Sequence, residues 1–138
     1  MRLLGTWKAE EAVTAGMVTR ADSRTFDYLV FAPKGVLTRF EGKSRVPFTW
    51  RTSGHTITMW EVNTSGMGGG PTSRAALHFS VAFVALESSR HISYTITPKG
   101  LTLSGRSRLR GTGVTPPLHA RVLVRYVHED GPPPSPPS

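Results

Sequence analysis

The sequence predicts an all-β protein, an antiparallel up-and-down meander closed into a barrel of eight to nine strands. Three observations predict it. Helical periodicity is nearly absent, and only Lys8–Val18 has the composition for a turn or two of helix. Short β-prone runs follow one another, separated by turn residues. Within those runs apolar and polar residues alternate strand after strand, giving the one apolar face that a single closed sheet requires.

Strands are expected near Leu3–Ala9, Thr25–Ala32, Val36–Glu41, Val46–Thr52, His55–Val62, Ala75–Leu86, His91–Thr97, Leu101–Leu109 and Leu118–His128. Pro-Lys-Gly occurs twice, in "FAPKGVLT" and "ITPKGLTL", each time between β-prone residues. Proline sets φ for the second position of a type I turn and cannot take the positive φ of a two-residue I′ turn. Four-residue hairpin loops are therefore expected. A third hairpin is expected at "TSGH" (Thr52 to His55), around a two-residue Ser-Gly loop.

The hairpins sort residues onto faces. With Ile96 opposite Leu101, the residues Ile92, Tyr94, Ile96, Leu101 and Leu103 share the apolar face. Val46, Phe48, Trp50, Ile57 and Met59 share another, with Trp60 outside and Glu61 inside. In the run Ala75–Leu86, Leu77, Phe79, Val81 and Phe83 alternate with smaller or polar residues. In the last strand Leu118, Ala120, Val122, Val124 and Tyr126 alternate with His119, Arg121 and Arg125. The first Pro-Lys-Gly hairpin allows two registers. One buries Leu29, Phe31, Val36 and Phe40 together with Asp27; the other buries Phe26, Tyr28, Val30, Thr38 and Phe40. The same turn should give the same parity, which favours the first.

The 138 residues allow one domain with one core, assigned to residues 1–128, followed by a Pro-rich tail over 129–138 that is expected to be disordered. No apolar run reaches the roughly 18 residues of a membrane helix, and the N-terminal residues turn polar too early to supply the apolar core of a signal peptide. With no cysteine there is no disulfide, thiolate metal site or cysteine nucleophile. A cytoplasmic protein is expected. The net charge of +8 brings attraction to anionic partners within reach.

The start "LLGTWK" (Leu3 to Lys8), a Gly-x-Trp opening the first strand of a β-meander, resembles the lipocalin-like (calycin) small bacterial barrels. The resemblance extends from Leu3 to about Val127. It implies that Trp7 packs at the closed end of the barrel, often beneath an arginine of the last strand, here Arg121 or Arg125. "FTWRTSGHTIT" is similar to the central hairpin of such proteins. The Thr-Asp-Tyr element of secreted lipocalins is missing, and no set of polar biotin contacts matches the biotin-binding barrels. "TPPLHA" does not reproduce the histidine spacing of nitrobindin-type haem barrels.

An eight-stranded barrel is either filled by side chains or holds one small ligand. Phe31, Phe48, Trp50, Met59, Phe79, Phe83 and Tyr94 are the candidate lining, Trp50 and Tyr94 first, because each carries a polar group that needs a partner when buried. Tyr94, Glu61 and Asp27 are the weak candidates for acid–base work, the two carboxylates being expected at the rim, in water. No metal or other cofactor is expected, since no two histidines have metal-ligand spacing. The Gly-rich stretch Asn63–Pro71 reads as a strand connection or a lid.

The function expected first is binding of a small hydrophobic organic molecule in the cavity. The fold resemblance extends this to a cyclase or isomerase of a natural-product-type pathway, working by positioning its substrate. The alternatives are a non-enzymatic protein using an outward arginine stripe (Arg106, Arg108, Arg110, Arg121 and Arg125) on an anionic partner, and a filled structural barrel. No aromatic side chains interleave with that stripe, so nucleic acid is not an expected partner. A membrane is not one either, and a homodimer is left open.

Overall fold

The computed structural model describes residues 3–62, 73–108 and 119–134. Nine strands form one antiparallel sheet: β1 (Gly5–Thr14), β2 (Met17–Arg20), β3 (Asp27–Ala32), β4 (Val36–Glu41), β5 (Ser44–Ser53), β6 (Thr56–Glu61), β7 (Ile92–Thr97), β8 (Gly100–Arg106) and β9 (Arg121–Glu129). Pairing of β1 with β9 closes eight of them into a barrel, and β2 hangs on the far half of β1 as an extra strand. The expected meander is therefore present, with one element exchanged for another kind.

That element is α1 (Arg74–Ser88), where a strand over Ala75–Leu86 was expected. Alternation of Leu77, Phe79, Val81 and Phe83 imitates a strand. The buried set is instead Ala76, Phe79, Ala82, Phe83, Ala85 and Leu86, whose spacings of three and four define a helical stripe. Alanine is the best helix former, and the Ser73 hydroxyl accepts the Ala76 amide at 3.1 Å as an N-cap.

The converse correction applies at Lys8–Val18, which forms strand and turn rather than helix. A β-bulge between Ala9 and Glu11 shifts the alternation, so Ala9 and Ala12 both point inward although three residues apart. A helix would produce the same spacing. Ala15 and Gly16, with φ of 51° and 84°, then make the two-residue turn into β2.

The two Pro-Lys-Gly hairpins use different loops, and neither has four residues. In the first, Pro33, Lys34 and Gly35 separate the paired Ala32 and Val36, with Lys34 and Gly35 at positive φ. In the second, Thr97 pairs with Gly100 across Pro98 and Lys99 alone. One extra loop residue inverts the parity of the following strand. Asp27, Leu29 and Phe31 face inward as favoured, but on β4 it is Leu37 and Arg39 that are buried, while Val36 is 50% exposed. The β5–β6 loop is Gly54-His55 rather than Ser-Gly; this moves the pairing by two residues and leaves every face unchanged. Ile96 does pair with Leu101.

The β3–β4, β5–β6 and β7–β8 hairpins share one end of the barrel. Helix α1, running from the β6 side to the start of β7, covers the other end and packs on β1, β2, β8 and β9. Only two residue pairs join β6 to β7. At the hairpin end, Trp7 is buried, donates its indole N–H to the Leu3 carbonyl at 2.8 Å and meets the His128 ring edge-on at 5.0 Å. The expected arginine over Trp7 is absent: Arg125 points outward, to Glu10 at 2.9 Å and Glu11 at 3.7 Å.

Candidate functional site

The barrel interior gathers most of the expected lining. Phe31 stands edge-on to Trp50 at 5.2 Å, and Phe48 to Phe83 at 5.6 Å. Phe79, Phe83 and Met59 are buried, though the two phenylalanines arrive from α1 rather than from a wall. Trp50 is half-buried and its N–H donates to the Val36 carbonyl at 3.0 Å and the Ala32 carbonyl at 3.3 Å. Tyr94 is half-buried against the core. Phe79, Phe83 and Leu86 of α1 are buried in the core and fill the helix-covered end of the barrel.

Below α1 lies a charged cluster that the strand pattern did not reveal. Asp27, expected at the rim, is buried, and Arg39 donates to it at 2.6 Å and to Glu41 at 3.2 Å. The Arg39 guanidinium also stands 4.5 Å above the Phe83 ring. Burial raises the Asp27 carboxyl against the pull of Arg39. Burial likewise opposes the Arg39 charge, but Asp27 and Glu41 more than restore it. The arginine prevails, since a guanidinium does not release its proton, and Asp27 is the member left to titrate. Burial, and then the Asp27 charge, raise the nearby Tyr126 hydroxyl. Glu87, at the end of α1, is pushed up to about 7 by burial, with Glu61 adding repulsion and Arg39 opposing. Glu61 itself is exposed where β6 ends, in water as expected.

A second arrangement lies on the outer wall, where β7, β8 and β9 approach the helix end. It is a concavity of about 650 Å³. Ser93 and Ser104 are register partners on β7 and β8, and Arg106 and Arg121 on β8 and β9. Arg90 and His91 enter from the segment after α1, and Arg108 and His119 complete the lining. Gly105 makes the entry possible: a Cβ there would meet Ser89 Oγ at 2.5 Å and the His91 carbonyl at 3.3 Å. The Arg108 amide is held by the Ser88 hydroxyl at 2.9 Å, and Arg106 donates to the His119 carbonyl at 3.3 Å.

Like charges set directly opposite on adjacent strands repel. Among the described residues no carboxylate lines this cleft and none of its four arginines forms an ion pair. Other arginines are neutralised, Arg20 by Glu11 at 3.3 Å and Arg125 by Glu10 and Glu11. Of the expected stripe, Arg106, Arg108 and Arg121 meet in the cleft, Arg125 is paired elsewhere, and Arg110 lies outside the described residues. So do the Asn63–Pro71 connection and most of "TPPLHA". Arg90, His91 and His119 were missed because their place depends on the helix and on the packing of Gly105, which strand periodicity does not encode.

A second concavity, of about 480 Å³, lies at the hairpin end beside Trp7, Pro98, Lys99 and His128. Among the described residues no cluster of histidines and carboxylates could hold a metal ion, and no helix is long and apolar enough to cross a membrane. Comparison with protein-family models, curated proteins and solved structures finds no match.

Proposed function

We propose that the protein is a non-enzymatic binding protein that holds an anionic ligand in the cleft of Arg90, Arg106, Arg108 and Arg121. The observation that carries this reading is four arginines lining one concave wall, with no carboxylate beside them among the described residues. Such an array is unfavourable by itself and is relieved by a ligand bearing the opposite charge. Guanidinium forks match the oxygens of carboxylates and phosphates, often in pairs of hydrogen bonds. We assign the barrel to the lipocalin-like (calycin) group on the Gly5-Thr6-Trp7 start of β1, although Trp7 is closed over by His128 rather than by an arginine.

The test is binding to heparin, a generic polyanion, across a salt series. Affinity should fall steeply with salt, and Arg106→Ala with Arg121→Ala together should weaken it by at least about tenfold. Arg51→Ala, on β5 away from the cleft, serves as the control for bulk charge. Equal losses in the control and the double variant would overturn the reading.

A second reading, a small hydrophobic molecule inside the barrel, is favoured by one observation. Asp27 Oδ1 and Arg39 Nε are buried without a hydrogen-bond partner, so a polar group of a guest would satisfy them. Native mass spectrometry of gently purified protein tests it: a retained organic molecule supports this reading, and a bare chain unable to take up hydrophobic probes opposes it.

A further inference from the structure

We infer that the ligand of the arginine cleft is a compact oligophosphate, a small molecule with two or more linked phosphate groups, recognised by its phosphate chain. This inference rests on the anion-binding reading above and specifies its ligand.

The positive surface is bounded, which separates a small polyanion from a polymer. Arg106 and Arg121 face outward as register partners. Four residues further along β9, Arg125 is held by Glu10 and Glu11, and Glu11 also neutralises Arg20 on β2. Among the described residues, the charge available to a ligand along β9 therefore ends where the cleft ends. For a long polyanion to be preferred over a compact one an extended track of cations is needed, and a single nucleic-acid strand also needs aromatic platforms for its bases. Neither accompanies this site: its lining contains no Phe, Tyr or Trp. The concavity of about 650 Å³ is within the range of small-molecule sites.

The kinds of group present fit phosphate chemistry. Four guanidiniums match the roughly four negative charges of a triphosphate chain and present forked donors from three chain segments. Arg90 follows α1, Arg106 ends β8 with Arg108 two residues beyond it, and Arg121 begins β9. The paired hydroxyls of Ser93 and Ser104 lie on the outward faces of β7 and β8 and add uncharged donors beside the arginines. A monophosphate would engage part of this set and leave the other arginines facing each other unrelieved.

The experiment is calorimetric titration of the full chain at about 0.15 M salt with inorganic triphosphate, adenosine triphosphate, adenosine monophosphate and heparin. Triphosphate is expected to bind one to one. Adenosine triphosphate should bind within about threefold of it, since no aromatic residue meets the base, and the monophosphate at least about tenfold more weakly. Arg121→Ala and the milder Ser93→Ala should each weaken triphosphate binding without lowering thermal stability in the absence of ligand, and Arg121→Ala should raise it slightly as the repulsion with Arg106 is relieved. Adenosine triphosphate binding more than tenfold tighter than triphosphate would overturn recognition by the chain and point to a nucleoside pocket. Heparin binding without triphosphate binding would overturn the oligophosphate and leave the anion-binding reading standing. Absence of binding to every probe would overturn both.

Discussion

Arg39 Nη2 lies 2.6 Å from Asp27 Oδ2 inside the barrel, and each side chain keeps only 5% of its surface accessible. Taking both charges out of water is expensive, and their attraction offsets it only with good geometry and full hydrogen bonding. Here Asp27 Oδ1 and Arg39 Nε lack partners. Removing one charge should therefore be severe, with Asp27→Ala losing about 3–5 kcal/mol in urea unfolding. Asp27→Leu combined with Arg39→Met should lose far less than the two single changes summed. Additive losses would mean that the pair is not energetically coupled.

Glu87 gives the fold a pH dependence near neutrality. Its carboxyl is raised from 4.5 to about 7 in the folded chain, so between those values the folded state holds a proton that the unfolded state has released. Stability from this group is thus greatest at low pH, declines as pH rises from about 4.5 to 7, and levels off above. The side chain is half-buried, and solvent screening reduces the effect to about 1 kcal/mol. Glu87→Gln should raise the urea midpoint at pH 8 and leave it nearly unchanged at pH 4.5. A gain of equal size at both pH values would contradict the raised carboxyl.

Gly100 is where the second Pro-Lys-Gly hairpin fits against β9. Its φ is +144°, and a Cβ would clash with the Tyr126 carbonyl oxygen, which belongs to backbone and cannot swing away. Gly100→Ala should cost about 3 kcal/mol and lower the melting temperature by roughly 10 °C. Gly42 also has a positive φ, +56°, but nothing within 4 Å of an added Cβ. Gly42→Ala should cost only about 1 kcal/mol, and the contrast between the two melts separates the clash from backbone strain.

The barrel was legible in the sequence because a strand's side chains alternate with a period of two, which Ile92 to Leu103, Val46 to Trp50 and Ile57 to Met59 follow. Loop length was not legible. One tripeptide makes a three-residue loop at Pro33 and a two-residue loop at Pro98, and that single residue decides whether Val36 or Leu37 points inward. The inversion concealed Arg39, and with it the charged cluster beneath α1. The helix was concealed because Phe79 and Phe83, four residues apart, satisfy both periods; Ser73 as a cap and the alanines at 75, 76, 82 and 85 were the available signs. The arginine cleft was half legible: Arg106, Arg108 and Arg121 follow from outward parity, whereas Arg90 and His91 depend on how the end of α1 packs over Gly105.

Phe83 decides whether α1 is part of the core or a cover resting on it. Its ring is 1% exposed, meets Phe48 edge-on at 5.6 Å and lies 4.5 Å under the Arg39 guanidinium. Phe83→Ala removes the buried ring, leaves a void and takes away a cation–π contact, so a loss of about 3–5 kcal/mol is expected in urea unfolding. Phe83→Leu keeps most of the volume and should lose about 1–2 kcal/mol. The void in Phe83→Ala would be bounded by Phe48 on one side and by Arg39 on the other. An apolar cavity stays dry and accepts a small aromatic guest, whereas one with an exposed guanidinium admits water. Because Arg39 remains paired with Asp27 and Glu41, the apolar side should dominate, and benzene should restore part of the lost stability. If Phe83→Ala lost less than about 1 kcal/mol, α1 would be a loosely held cover, and the barrel interior beneath it would be open to a guest without displacing any core contact.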